Sequence, residues 1–214
     1  MLNEALSLKN EIKGILLYGF GGHARSVADV ALKNGVSSLI FYDENAQQNE
    51  KFQGFAILPE LPLVLPEGWF AFPAAGDAER RQSQFQDINK RGWPVNNIIS
   101  STATLGVLSE IGAGSFVGHH AHIGPKSQIG NGCIINTAAI VEHDCRIGNF
   151  THISVNCTIA GKTTIGNCCF LGAASTAIDS ITIGNNITLG AGGCFISDTL
   201  ESGVYVGLPA KRIK

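Results

Sequence analysis

The chain has few charged residues and no block of one sign. Asp, Glu, Lys and Arg make up 15% of its 214 residues, and the formal net charge is −2. A pI of about 6.3 without a basic block argues against a nucleic-acid partner. No apolar run approaches the ~20 residues of a membrane-spanning helix, and Met1 to Lys13 has no apolar core of signal-peptide length. We therefore expect a cytoplasmic protein that does not insert into a membrane.

From Leu105 to Glu201 the chain repeats every six residues. The first position of each hexad is large and apolar in fifteen of sixteen cases, and the second position is glycine in ten. Because a helix has a period of 3.6 and a strand a period of 2, a strict period of six predicts a solenoid. Each hexad should form a short strand and a corner, where the glycine relaxes the backbone. Stacked coils then bury a continuous apolar column.

Cysteine chemistry is not expected. No CxxC pair occurs among the six cysteines, which excludes zinc-ribbon spacing. Four cysteines share the small inward position two residues before the apolar one, where a thiol behaves as a small hydrophobe: Cys133, Cys145, Cys157 and Cys169.

The first hundred residues alternate between strand and helix patterns. We expect strands at 14–18, 38–42, 69–75 and 95–100, helices at 24–33 and 77–91, and an irregular loop around Pro59, Pro62 and Pro66. A glycine-rich turn, Gly19 to His23, follows the first strand, and the acidic residues Asp43 and Glu44 end the second. This arrangement is typical of nucleotide binding, although a tight turn without a ligand remains an alternative. The region is too short for a full dinucleotide fold. We therefore predict a small Rossmann-like sugar-nucleotide domain over residues 1–100 and a solenoid domain with a C-terminal tail over 101–214.

Two groups of histidines lie in the repeat. His119, His120 and His122 cluster in one coil, but the equivalent positions two coils later hold no histidine, so we interpret them as solvated corner residues rather than zinc ligands. His143 should project outward and is followed by Asp144. A carboxylate beside an imidazole makes the dyad that a general base needs. An idle surface histidine is the alternative.

Three stretches of the repeat carry a family resemblance: Asn136 to Cys145, His152 to Ser154, and Ala160 with Gly161. Together with Gly19–His23 at the front and Gly203–Lys211 at the end, they are similar to the sialic acid O-acetyltransferase-like family of hexapeptide-repeat proteins. Within that family the chain most resembles the bacterial N-acetyltransferases that act on UDP-4-amino-4,6-dideoxy sugars on the route to bacillosamine.

The resemblance implies a left-handed parallel β-helix that uses acetyl-CoA, and from the histidine and cysteine spacing we expect no metal. It implies that His143 is the general base, that Asp144 raises its basicity, and that Asn136 lines the same site. The implied acetyl-CoA contacts are His152, Gly161, Ala173 and Ala191, with Gly161 leaving room for the pantetheine. The implied sugar-nucleotide contacts are Gly21, Gly22, His23, Asp43, Glu44 and Gly76.

His143 and His152 are nine residues apart, half of an 18-residue coil, so they should face different ways in one chain. The family forms trimers, and a homotrimer would bring His143 of one subunit to His152 of the next. We therefore predict active sites between subunits.

Two alternatives remain open at this point. The acceptor could be the hydroxyl of a sialic acid or another polysaccharide sugar, since the repeat does not distinguish an amine from a hydroxyl. A non-enzymatic β-solenoid would need one outward position repeated in every coil, usually threonine, and the threonines form no such ladder.

Overall fold

A computed structural model describes residues 12–47 and 49–214. Most of the segment Met1 to Lys13, in which we found no signal-peptide core, lies outside the described residues. Within the described ranges, neither helix is long and apolar enough to cross a membrane.

The front of the chain is a five-stranded sheet with one helix on each side. Its strands are β1 (Gly14–Tyr18), β2 (Leu39–Tyr42), β3 (Lys51–Phe52), β4 (Phe55–Leu58) and β5 (Trp69–Pro73), in the order β3-β4-β2-β1-β5. All neighbours are parallel except β3 and β4. The helices are α1 (Gly22–Lys33) and α2 (Ala78–Lys90). Every residue of β1 is buried, as expected for a central parallel strand covered on both faces.

The front part of the chain differs from the sequence prediction in two places. A hairpin, β3–β4, was not predicted; its turn residues Gln53 and Gly54 have φ values of 49° and 86°, which two-residue hairpins require. The strand predicted at 95–100 is shorter, and it pairs with the solenoid rather than with the front sheet.

The solenoid is a three-sided prism of parallel strands. Face 1 contains β6 (Ile98–Ile99), β9 (Phe116–Val117), β12 (Ile134–Ile135), β15 (His152–Ile153), β18 (Phe170–Leu171), β21 (Ile187–Leu189), β23 (Gly203–Val206) and the antiparallel β24 (Lys211–Arg212). Face 2 contains β7 (Thr104–Leu105), β10 (His122–Ile123), β13 (Ile140–Val141), β16 (Thr158–Ile159), β19 (Thr176–Ala177) and β22 (Cys194–Phe195). Face 3 contains β8 (Glu110–Ile111), β11 (Gln128–Ile129), β14 (Arg146–Ile147), β17 (Thr164–Ile165) and β20 (Thr182–Ile183). The predicted fold class, an α/β front and a left-handed parallel β-helix, is confirmed.

The first residues of the hexads from Ile111 to Phe195 line one continuous apolar column, as predicted, whereas Leu105 in the first hexad is exposed. The four inward cysteines are free and buried, and burial raises the pKa of the Cys133 thiol to about 12. They are more than small hydrophobes, because three of them donate to a carbonyl of the next coil; Cys145 Sγ, for example, lies 3.2 Å from the Ala160 oxygen.

The corner glycines work differently from the prediction. The left-handed backbone conformation occurs at the fourth position of the hexad, for example at Asp144 (φ 58°) and Lys162 (φ 60°), and not at the second-position glycines. Those glycines are required because the coils approach closely. A Cβ at Gly124 would lie only 2.6 Å from the backbone nitrogen of His143 in the next coil.

The two parts of the chain share an apolar core. Face 1 residues Ile98, Phe116 and Ile134 pack in one cluster with α1 and the front strands. Asn34, the C-cap residue of α1, adds a second link, because its side chain donates to the Ile99 oxygen at 2.6 Å. The front domain therefore rests on the first coils of face 1.

Candidate active site

His143 lies at the corner between faces 2 and 3, in the turn that joins β13 to β14. Its Nδ1 is 2.9 Å from Asp144 Oδ2, and the two side chains are 49% and 43% exposed. The hydrogen bond to His143 lowers the pKa of the Asp144 carboxyl, and Lys126 and Lys162 in the adjacent coils lower it further. A carboxylate that accepts from Nδ1 leaves Nε2 as the lone-pair nitrogen. The dyad can therefore accept a proton at an exposed position.

Gly161 lies one coil after His143 at the same corner. A Cβ on Gly161 would lie 2.7 Å from both Cε1 and Nε2 of the imidazole, so the ring occupies the space that a side chain would fill. The Gly161 carbonyl accepts from Ser180 at 2.9 Å, whereas its N–H has no acceptor among the residues that the structure describes. Gly161 thus offers a backbone donor without a described acceptor, next to the His143 ring.

His152 lies on face 1, away from the His143 corner, and faces the front domain. Its ring is 6.3 Å from that of His23, and Asn136 Nδ2 donates to its Nε2 at 3.1 Å. Phe170 packs edge-on against His152, and Phe116 packs edge-on against His23. Within one chain, Asn136 therefore contacts His152 and not His143.

Burial keeps this histidine pair neutral. It lowers the pKa of His23 to about 3 and that of His152 to about 4, with a smaller contribution from the nearby charge of Arg81. His23 Nε2 and His152 Nδ1 are buried and have no hydrogen-bond partner in the described part of the chain. Two polar atoms thus remain unsatisfied where the two domains meet.

The other predicted acetyl-CoA contacts lie on two different edges of the prism. Ala173 and Ala191 are exposed and stack one coil apart on the edge between faces 1 and 2, since the Gly192 amide donates to the Ala173 oxygen at 2.9 Å. His152 is next to this edge. Gly161 is on the His143 edge, so within one chain His152, Ala173 and Ala191 lie at or next to one edge and Gly161 lies at another.

The predicted sugar-nucleotide residues surround the carboxyl end of β1. Gly21 is the N-cap of α1 without a side-chain cap, and a Cβ on Gly21 or Gly22 would meet nothing within 4 Å. The first turn of α1 is therefore open to an anion. Gly76 lies against His23. The Asp43 carboxylate accepts from the Phe20 and Asn45 amides at 3.1 and 3.0 Å, so it also holds the glycine-rich turn closed.

A cleft of about 390 Å³ opens beside Asp43 and Glu44. It lies at the carboxyl ends of β1 and β2, next to the point where the strand order reverses, where α/β sheets usually bind ligands. Helix α2 supplies Arg80 and Gln84 to its wall, and Arg91, the C-cap residue of α2, completes it. A larger open groove of about 580 Å³ follows face 3, but none of the predicted site residues lines it.

Comparison with known proteins covers both parts of the chain. Residues 14–88 match the family model described as the PglD N-terminal domain. A search of curated proteins by sequence gives no match. The acetyltransferase domain of PglB from Neisseria gonorrhoeae, which has also been solved with acetyl coenzyme A, is 28% identical over 94% of this chain and 100% of its own, with a TM-score of 0.87. A histidine-to-alanine variant of GDP-perosamine N-acetyltransferase from Caulobacter crescentus, bound to CoA and GDP-perosamine, is 29% identical over 95% of this chain and 98% of its own, with a TM-score of 0.84.

Residues 14–88 thus match the PglD N-terminal domain family, and over almost its whole length the chain is similar to sugar N-acetyltransferases of the PglD type. The resemblance found in the sequence is thereby confirmed, as is the predicted acyltransferase class. A third structure, WeeI from Acinetobacter baumannii, is only 19% identical with a TM-score of 0.79, and it supports the fold alone.

Of the three clustered histidines, His120 is an exposed corner residue as predicted, whereas His119 and His122 make side-chain contacts that the sequence did not predict. His119 is not a solvated corner residue, because its Nε2 contacts Asp29 of α1 at 3.0 Å and its Nδ1 contacts Ser100 Oγ at 2.7 Å. His122 lies in β10 and contacts Thr104 at 2.7 Å. Among the described residues, no three His, Cys, Asp or Glu side chains are grouped as metal ligands.

Sequence reasoning missed the arginines of α2 and of its C-cap. Arg80 and Arg91 line the front cleft, and Arg81 is fully buried between the domains. The only signal was a polar helix with several charges, a pattern that is usually a solvated face. Which of these arginines turns inward depends on how α2 packs against the solenoid.

Proposed function

We propose that this chain transfers the acetyl group of acetyl-CoA to the 4-amino group of a UDP-4-amino-4,6-dideoxy sugar of the bacillosamine type. The observation that carries the proposal is the His143–Asp144 dyad, whose half-exposed imidazole lies against Gly161, a residue whose N–H has no acceptor among the described residues. The structures of two relatives above 25% identity, which carry acetyl-CoA or CoA, support the donor.

In the proposed mechanism, His143 Nε2 removes a proton from the amine as its nitrogen attacks the thioester carbonyl. The new C–N bond forms, the C–S bond breaks, and the proton on His143 passes to the leaving sulfur, so that CoA departs as a thiol. Asp144 stabilises the imidazolium that exists between these proton transfers. The Gly161 N–H is placed to bind the oxyanion.

The remaining predicted residues fit the two substrates. The exposed edge of Ala173 and Ala191 leaves room for an extended chain, and His152 beside it has an unsatisfied ring nitrogen. The open first turn of α1, with Gly21 and Gly22, suits a phosphate group. Because His143 and His152 lie on different sides of the prism, we also propose that the site forms between subunits of a homotrimer.

The acceptor is tested by measuring CoA release with a panel of sugars. We expect turnover with a UDP-4-amino-4,6-dideoxy sugar and none with CMP-sialic acid or sialic acid, the substrates of the alternative O-acetyltransferase. GDP-perosamine belongs in the panel because the Caulobacter relative was solved with it. Turnover with GDP-perosamine alone would replace the UDP sugar in the proposal, and turnover with sialic acid alone would overturn it.

The base is tested with His143→Ala. General base catalysis typically contributes about 10²–10⁴ to the rate, so kcat should fall by that factor while the Kd for acetyl-CoA changes little. His120→Ala is the control, since His120 is an exposed histidine at another corner. Unchanged kcat in His143→Ala would remove His143 from its role.

A further inference from the structure

Among the residues that the structure describes, Arg81 of α2 is the only buried Asp, Glu, Lys or Arg. It crosses from the front domain to the solenoid. Its Nε donates to the Gly132 oxygen and its Nη2 to the Phe150 oxygen, both at 2.6 Å. Its Nη1 donates to the oxygens of Ala75 and Gly76 at 3.0 and 2.8 Å. One guanidinium therefore binds four backbone carbonyls.

These carbonyls belong to two separate pieces of the molecule. Gly132 and Phe150 are equivalent residues of consecutive coils, at the corner where face 3 turns to face 1. Ala75 and Gly76 form the loop that follows β5 in the front domain. None of the four oxygens accepts another backbone hydrogen bond within the described residues. Arg81 thus provides hydrogen-bond donors to backbone carbonyls on both sides of the domain interface.

A buried guanidinium is a costly way to join two domains. Burial lowers its pKa to about 10, which leaves it charged at neutral pH, and it forms no ion pair with a carboxylate of the described chain. Apolar contacts through Ile98, Phe116 and Ile134 already hold the domains together. Since buried charges rarely add net stability, a need for precise geometry is the better explanation.

The loop that Arg81 holds reaches the candidate site directly. Gly76 lies against His23, where a Cβ on Gly76 would come within 3.6 Å of the His23 Cβ, and its backbone is next to the ring of His152. A shift of the loop would therefore move the front domain's sugar-nucleotide residues relative to the solenoid's histidine.

We propose that Arg81 is a positioning residue, which fixes the Ala75–Gly76 loop to the corner at Gly132 and Phe150 and so sets where the front domain presents the sugar to the transfer site. The inference rests on the proposed function. It assigns Arg81 no contact with either substrate.

The test compares Arg81→Met and Arg81→Lys with the wild type, and Lys90→Met, an exposed position on the same helix, is the control. In Arg81→Met, kcat/KM for the nucleotide sugar should fall at least tenfold, while the Kd for acetyl-CoA stays within twofold. Arg81→Lys should lose less, because an ammonium reaches only some of the four carbonyls. Lys90→Met should behave as the wild type. Sugar kinetics within twofold of wild type in Arg81→Met, or an equal loss of acetyl-CoA binding, would overturn the proposal.

Amide hydrogen exchange without substrates separates this inference from the proposed function. The amides of 75–77 should exchange at least tenfold faster in Arg81→Met than in the wild type, while those of β1 do not change. If the wild type acetylates no sugar, the proposed function fails, and the exchange result still decides whether Arg81 fixes the loop. If Arg81→Met does not fold, Arg81→Lys becomes the deciding variant. Its kcat/KM for the nucleotide sugar should then fall at least threefold, and unchanged kinetics would contradict the positioning role.

Discussion

Gly161 shows how the absence of a side chain can leave room for a functional candidate, the His143 ring. Its backbone does not need a positive φ, so alanine is conformationally allowed there. What excludes alanine is the His143 imidazole, whose Cε1 and Nε2 lie 2.7 Å from the position of a Cβ. The sequence assigned Gly161 to the pantetheine of acetyl-CoA, which stays a prediction. The contact with His143 is a role that the sequence did not reveal.

We therefore expect Gly161→Ala to displace the His143 ring by about an ångström and to lower kcat by about 10²-fold. Binding of the nucleotide sugar should not change. Gly112→Ala is the control, because its Cβ would press on Asn131 at a different corner and should cost stability without lowering kcat. Steady-state kinetics and urea denaturation measure both effects. Wild-type kcat in Gly161→Ala would show that the ring does not need this space.

His23 and His152 should make the fold sensitive to acid. Both have pKa values below the ordinary value of about 6.5, so the unfolded chain binds more protons than the folded chain between pH 6.5 and pH 4. Stability is then complete above pH 6.5 and is lost as the pH falls. As the pH falls from 6.5 to 5, each histidine that stays neutral in the folded state should lower the free energy of unfolding by about 2 kcal/mol.

Urea denaturation at pH 7, 6 and 5 measures this dependence. His152→Gln should show a shallower loss of unfolding free energy than the wild type, whatever its stability at pH 7. His120→Gln, at an exposed corner, should keep the wild-type slope. Equal slopes in the wild type and His152→Gln would show that His152 is not held neutral.

At the scale of the hexad, the inward small residue is a hydrogen-bond donor as well as a spacer. The side-chain oxygens at this position donate to the carbonyl fifteen residues later in four hexads: Ser115, Ser127, Thr151 and Thr163. The sequence predicted a small inward residue, and the pattern of hydroxyls and thiols at this position is the signal that it also bonds the next coil.

Thr163→Val tests this bond. Thr163 is buried, and its Oγ1 donates to the Ile178 oxygen at 2.7 Å. Valine has nearly the same shape but leaves that carbonyl unpaired, so the free energy of unfolding should fall by about 1–3 kcal/mol. Thr164→Val, the outward neighbour in β17, should change it by less than about 0.5 kcal/mol. A result in which both variants match the wild type would mean that the bond contributes no net stability.

The strands could be predicted from the sequence where a local pattern of residues is sufficient to define them. The period of six gave the solenoid because each apolar residue must point inward. The β3–β4 hairpin escaped prediction because its strands are short and its only local signal is the turn at Gln53 and Gly54. The strand at Ile98–Ile99 was expected, but its partner could not be known without the docking of the two domains.

At the scale of the whole molecule, one chain keeps the two central histidines apart. His143 is at the edge between faces 2 and 3, and His152 on face 1 contacts the front domain. Of the four predicted acetyl-CoA contacts, a single chain thus places only Gly161 beside His143. The trimer remains a prediction, and it follows from this separation.

Co-expression of His143→Ala and His152→Ala chains tests the shared site. Each variant alone should be nearly inactive, whereas mixed trimers should recover activity in about a quarter of the sites, since one intact residue can come from each chain. Co-expression of His143→Ala with a chain carrying both substitutions is the control and should recover nothing. No recovery in the first mixture would contradict a site built by two subunits.

The sequence alone determined the features that depend on near neighbours or on the period. These are the solenoid, its apolar column, the α/β front, and the pairing of His143 with the adjacent Asp144. The tertiary structure decided the contacts between distant residues: Gly161 against His143, His23 beside His152, and Arg81 on four carbonyls of two domains. The physical reason is that the stacking of coils and the docking of the front domain set these contacts, and both depend on the packing of many residues that are far apart in the chain.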